Sequence, residues 1–126
     1  KGTIRKDKEA ETICNFLAKK RVYAIKKDKN NTFWFGTFGL GIIQYNPITK
    51  KFKVFKHNAA KNNSLSNNLV RTITIDAKNN IWVGTQRGLN KITKDFNIER
   101  FFYDDNVQSG DDITTVFEDK NNTIIT

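Results

Sequence analysis

The chain has 126 residues, with 22 Lys and Arg against 13 Asp and Glu, giving a formal net charge of +9. With 37% hydrophobic and 28% charged residues it is neither an acidic disordered tail nor a membrane protein. Its apolar runs fall far short of the ~20 residues of a membrane-spanning helix, no N-terminal stretch resembles a signal peptide, and a single cysteine, Cys14, excludes an internal disulfide and a thiolate zinc site.

From the N-terminus, Gly2-Thr-Ile-Arg-Lys6 and Ile13-Cys-Asn-Phe16 read as two short strands. Val22-Tyr-Ala-Ile-Lys-Lys-Asp28 follows, and it recurs as Val70-Arg-Thr-Ile-Thr-Ile-Asp76 and Ile113-Thr-Thr-Val-Phe-Glu-Asp119. The offsets are 48 and 43 residues, within the period of roughly 40–50 residues typical of propeller blades. Each copy begins with a strand (Val22 to Lys27, Val70 to Ile75, Ile113 to Glu118) that ends in Asp-x-x-Asn: Asp28 with Asn31, Asp76 with Asn79, Asp119 with Asn122. In such a hairpin turn the aspartate accepts bonds from N–H groups two or three residues on, and Asn tolerates the left-handed conformation.

The second strand, Phe33-Trp34-Phe35 or Ile81-Trp82-Val83, is apolar on both faces and must be covered on both. Gly36 and Gly84 follow on the Trp side, where a missing side chain admits a close neighbour. The third strand is Ile42 to Tyr45 or Leu89 to Ile92, and the fourth is Phe52 to Phe55 or Ile98 to Tyr103. Gly2-Thr-Ile-Arg-Lys6 matches Gly41-Ile-Ile-Gln-Tyr45, and Ile13 to Phe16 matches Phe52 to Phe55.

Four-stranded antiparallel units at this period, with no convincing helix, predict an all-β chain of β-propeller blades. The expected organisation is residues 1–20 as the end of a preceding blade, 21–57 as a blade, 58–68 as a linker, 69–103 as a blade, 104–112 as a linker and 113–126 as the start of a further blade. Two full blades and two partial ones make an incomplete propeller. The expectation is a piece of a longer protein, whose partners are the remaining blades of the parent chain or further copies of itself.

Trp82-Val-Gly-Thr-Gln-Arg-Gly-Leu-Asn-Lys-Ile92 and Trp34-Phe-Gly-Thr-Phe-Gly-Leu-Gly-Ile-Ile-Gln-Tyr-Asn-Pro47 resemble the two-component regulator propeller repeat. Asn63-Ser-Leu-Ser-Asn-Asn-Leu-Val70 resembles the interblade segment of that family. Two departures are local: Asn replaces the usual turn glycine, and Ile125 stands where a third Trp would fall. The resemblance implies the periplasmic sensor region of a hybrid two-component histidine kinase that responds to poly- or oligosaccharide. It also implies that any membrane association comes through the parent chain. The alternative is a non-catalytic scaffold for dimerisation or domain packing, and a propeller enzyme ranks behind both.

The sequence offers no catalytic constellation, metal set or cofactor motif. His57, the one histidine, sits at the edge of a polar interblade loop and reads as solvated. Asp104-Asp105 and Asp111-Asp112 read as solvated linker residues. The basic clusters Lys19-Lys20-Arg21, Lys26-Lys27 and Lys50-Lys51 are scattered, which argues against a nucleic-acid surface and for protection of strand edges. Trp34 and Trp82 could stack on sugars, but their recurrence among apolar residues reads as core.

Candidate ligand contacts lie where the scaffold repeats and the residue varies. Tyr23, Arg71 and Thr114 share one position near the start of the first strand. Phe38 and Gly39 in one loop between second and third strands correspond to Gln86 and Arg87 in the next. In a propeller these positions face one rim, so Tyr23, Phe38, Arg71, Gln86, Arg87 and Thr114 form the expected binding set.

Overall fold

A computed structural model describes residues 17–18, 20–102 and 111–126. The expected strands at Gly2–Lys6 and Ile13–Phe16, together with Cys14, Lys19, Tyr103 and Asp104-Asp105, lie outside the described residues. Among the described residues the ten elements are strands: β1 Val22–Lys27, β2 Phe33–Thr37, β3 Ile42–Asn46, β4 Lys51–Phe55, β5 Val70–Ile75, β6 Ile81–Thr85, β7 Gly88–Ile92, β8 Ile98–Phe101, β9 Phe117–Glu118 and β10 Ile124–Ile125. They form two four-stranded antiparallel meanders, β1-β2-β3-β4 and β5-β6-β7-β8, and a two-stranded hairpin, β9-β10. These are β-propeller blades, and the all-β expectation holds.

The third copy departs from expectation. Ile113 to Glu118 was expected to pair along its length, yet only Phe117 and Glu118 do so, with Ile125 and Ile124. Ile113 and Val116 are instead bonded across to the second blade: Ile113 N–H donates to the Thr85 carbonyl at 2.9 Å, and the Val116 carbonyl accepts the Thr74 hydroxyl. Their side chains still pack, since Ile113 and Val116 are buried against Leu89 with Trp82 and Ile124 alongside.

The largest apolar cluster lies between the two full blades. Trp34, Ile42 and Phe55 of the first blade meet Val70, Ile73, Ile81, Val83, Ile92 and Ile98 of the second, with Leu65 of the connecting segment among them. On the other face of the first sheet, Phe35, Ile43 and Tyr45 are covered by Leu17, Val22, Phe33 and Phe52. Apolar burial on both faces is why the second strands carry no polar side; β2 is buried from Trp34 to Thr37.

The glycines after each Trp set how closely blades approach. A Cβ on Gly36 would lie 2.5 Å from Val70 Cγ1, and one on Gly84 would lie 2.7 Å from the Ile113 carbonyl oxygen. In both cases the next blade occupies the space a side chain would take, through Val70 of β5 and through Ile113 ahead of β9.

Each hairpin turn is built on its aspartate. Asp28 Oδ1 accepts the backbone N–H of Asn30 at 2.8 Å and of Thr32 at 3.0 Å. Asp76 does the same for Lys78 and Asn80, and Asp119 for Asn121 and Thr123. The accepted donors are thus two and four residues on, not two and three. The third N–H (Asn31, Asn79, Asn122) goes to the aspartate's own carbonyl instead. These asparagines adopt the left-handed backbone, with φ of 62°, 65° and 61°, which turns the chain that follows back toward the second strand. The second carboxylate oxygen takes the indole N–H six residues on, Trp34 at 2.9 Å and Trp82 at 2.8 Å. One aspartate therefore fixes a turn and orients a core tryptophan.

Candidate functional site

The rim is organised by the loops after β2 and β6. In the first blade Phe38 N–H bonds the Arg21 carbonyl, while Gly39 and Gly41 N–H both bond the Asn68 carbonyl ahead of the next blade. In the second blade Gln86 N–H bonds Leu69 and Gly88 N–H bonds Asp111. Each loop is stitched both to the lead-in of its own blade and to that of the following one. Thr37 and Thr85, fully buried, hold these loops from inside: each hydroxyl donates to a loop carbonyl, Gly41 at 2.7 Å and Gly88 at 2.9 Å.

This stitching gathers most of the expected binding set. Phe38 bridges Leu69 on one side, and Gln86 bonds Leu69 through its backbone on the other. The Tyr23 and Phe38 rings meet edge to face, centroids 5.4 Å apart at 88°. Both remain largely exposed, at 49% and 41%. The Arg21 guanidinium lies over the Phe38 ring at 5.7 Å. Arg87 and Thr114 are exposed further along: Arg87 follows Gln86 in its loop, and Thr114 takes in the third blade the place of Arg71 in the second.

Tyr23 and Arg71 share a structural feature beyond their sequence position. Val22 pairs Thr37 and Ala24 pairs Gly36, so the register shifts around Tyr23; the same shift falls around Arg71, between Val70 and Thr72. Both residues occupy β-bulges, which re-aim a side chain out of the regular alternation.

Arg71 forms a two-pronged pair with Asp112, Nε to Oδ1 and Nη2 to Oδ2, both at 3.1 Å. The hydrogen bonding to Asp112 holds the guanidinium above its usual value against the opposing effect of desolvation, and the Asp112 charge and the nearby Tyr23 phenol add to the rise. This corrects the expectation that Asp111 and Asp112 are solvated linker residues. The Asp111 carbonyl accepts from Gly88, and the Asp112 carboxylate ties the lead-in of the third blade to β5. The reason is distance in sequence: 41 residues separate Arg71 from Asp112, and only blade packing brings them together.

The other candidates fall away from a ligand surface. Trp34 is buried and stacks on Phe55 at 5.7 Å; Trp82 packs at a tilt against Phe101 at 5.6 Å, and the Lys91 ammonium lies 5.6 Å from its ring centroid. Asp76 is a buried carboxylate. Burial works against its charge, yet the Trp82 indole, the Asn80 side-chain amide and the Asn80 and Lys78 backbone N–H groups together hold it below its ordinary value. His57 is exposed as expected, but its Nδ1 lies 2.7 Å from the Leu65 carbonyl and its backbone N–H bonds Asn68 Oδ1. The lysine pairs Lys26-Lys27 and Lys50-Lys51 lie on or beside β1 and β4, the opposite edges of the first sheet. Among the described residues no group of three His, Cys, Asp or Glu side chains converges as a metal site.

Sequence reasoning missed two polar clamps. Asn90 is fully buried; its amide donates to Ser66 Oγ at 2.8 Å and its carbonyl accepts Ser66 N–H at 2.9 Å, while Ser66 Oγ lies 3.0 Å from Thr85 Oγ1. Arg100 reaches the carbonyls of Lys61, Ser64 and Leu65 at 2.7–3.2 Å and Ser64 Oγ at 2.7 Å. A lone Asn in a strand of buried residues was a visible signal. Arg100 carried none, because Val54 stands in its place in the first blade.

A family model described as two component regulator propeller matches residues 17–39 and 64–87. Each match runs from the lead-in of a first strand through the Asp turn, the Trp and the Gly-Thr pair into the rim loop. These two segments are two-component regulator propeller repeats. Across 122 residues it is 41% identical to histidine kinase P4 of Formosa agariphila, which is 92% of this chain and 9% of that protein. These regulator propeller blades match the extracellular domain of a hybrid two component system from B. thetaiotaomicron with a TM-score of 0.66 and 27% identity, over 82% of this chain and 14% of that one. They share a fold with virginiamycin B lyase from Staphylococcus aureus, at a TM-score of 0.65 and 18% identity, over 82% and 33% of the two chains.

Proposed function

We propose that these blades belong to the extracytoplasmic, periplasmic propeller of a hybrid two-component sensor kinase, and that the propeller senses a poly- or oligosaccharide. The observation that carries the reading is the 41% identity to a histidine kinase over nearly the whole chain, alongside a neighbour that is an extracellular domain of a hybrid two component system. The rim supports the ligand class. Half-exposed Tyr23 and Phe38 offer ring faces to sugar C–H groups, and Arg21, Arg71, Arg87 and Gln86 offer donors to hydroxyls. The blades have a binding and transmitting role in this reading, not a catalytic one: the Asp28, Asp76 and Asp119 carboxylates serve the turns, and His57 serves a loop. Their partners are the neighbouring blades, and the membrane is reached only through the parent chain.

Sensing requires a ligand that binds two arrangements with different affinity. The rim loops offer the link for such a response, since each is bonded to two successive blades. Calorimetric titration of the intact protein carrying these blades with neutral and charged oligosaccharides tests the reading. Binding that weakens in Arg71→Ala and Arg87→Ala is the expected outcome; absence of binding to every saccharide class overturns it.

A further inference from the structure

The pairing of Arg71 with Asp112 narrows the ligand further, and this step rests on the saccharide reading above. The Arg71 fork presents Nε and Nη2 side by side to the two oxygens of one carboxylate. A planar carboxylate is the group that matches this geometry. The pair is no buried lock: the Arg71 and Asp112 side chains are 30% and 43% exposed, so a carboxylate from solution can reach the same donors. Arg71 stands on a bulge of β5, against which β1 with its own bulge at Tyr23 packs, and Phe38 bridges Leu69 just ahead of Arg71; the exposed Tyr23 and Phe38 rings meet there with Arg21 over the Phe38 ring.

The geometry points to a subsite for an acidic sugar, in which the carboxylate of a uronic acid takes the Arg71 fork from Asp112 while its ring rests in the corner of Tyr23 and Phe38. Asp112 is then a built-in competitor that occupies the fork when ligand is absent. The exchange is one ion pair for another, so no proton or covalent step is involved. It has a structural consequence, because Asp112 belongs to the lead-in of the third blade and Arg71 to the first strand of the second. Displacing Asp112 releases a tie across the blade junction, and the occupied and empty rims thereby differ in interblade bonding.

The test is calorimetry on the intact protein with two defined probes, a trimer of galacturonic acid and the neutral galactose trimer, in wild type, Asp112→Asn, Asp112→Ser and Arg71→Ala. Thermal melting of each variant separates loss of binding from loss of fold. Removing the competitor should tighten the acidic trimer by about threefold to fivefold, since an exposed pair is worth at most about 1 kcal/mol, and should leave the neutral trimer unchanged. Arg71→Ala should abolish the preference for the acidic trimer, and in wild type that preference should shrink as salt rises. Unchanged or weaker acidic binding in both folded Asp112 variants overturns the proposal, and neutral binding that persists there leaves the saccharide reading standing. If neither trimer binds and no other saccharide does, the saccharide reading falls and this proposal with it.

Discussion

Gly36→Ala tests the blade spacing directly. The added Cβ would lie 2.5 Å from Val70 Cγ1, 3.2 Å from Val70 Cβ and 3.4 Å from Ile73 Cδ1. Carbon atoms rest at about 3.5–4.0 Å, so Val70 must retreat by roughly 1 Å. It has little room, being fully buried and β-branched with one favoured rotamer. Overpacking of this kind costs about 1–3 kcal/mol. For a cooperative unit of this size that lowers the melting temperature by roughly 3–4 °C per kcal/mol. Val70→Ala removes the offending methyl while keeping its Cβ, so the rescue should be partial. In a double-mutant cycle followed by urea denaturation of the intact protein, Gly36→Ala with Val70→Ala should be more stable than the sum of the single changes by at least about 1 kcal/mol. Additivity within roughly 0.5 kcal/mol would refute the claim that Gly36 exists to admit Val70. Gly84→Ala makes the contrast, since beside the Thr72 methyl it meets the Ile113 backbone oxygen, also at 2.7 Å, which no side-chain trimming removes.

Asp76 has a depressed folded value, so its stabilisation is fully present above the unfolded value of 3.8 and is lost as pH falls through the lower folded value; Asp76→Asn should flatten the acid limb of a melting-temperature profile below about pH 4. Asn90→Ala should cost about 2–3 kcal/mol in chemical denaturation by leaving Ser66 N–H and Oγ without their buried partner. Arg100→Lys removes the planar fork that gathers the 61–65 carbonyls. It should cost about 1 kcal/mol and speed amide hydrogen exchange across residues 58–66 while leaving β5–β7 protected.

Much of the rim was legible for one reason. When a backbone frame repeats, positions that vary inside it stand out, and Tyr23, Phe38, Arg71 and Gln86 were singled out that way as rim residues. The bulges beneath Tyr23 and Arg71 were not legible, because a register shift depends on the pairing partner. Asp28 and Asp76 were recognisable as turn formers, yet their second role, receiving the indole N–H, appears only when the hairpin closes and brings a residue six positions on back to the carboxylate.

The amino-acid sequence by itself determined the blade: its period, its four strands, its Asp-x-x-Asn turns and the doubly apolar second strand. These follow from local rules of alternation and turn chemistry, which act within about ten residues. Tertiary structure decided what happens between blades. Arg71 with Asp112, Asn90 with Ser66 and Arg100 with residues 61–65 are separated by 41, 24 and 35–39 residues. Side chains that far apart in the chain meet only through the packing of whole sheets, and no spacing in the sequence encodes which of them will do so.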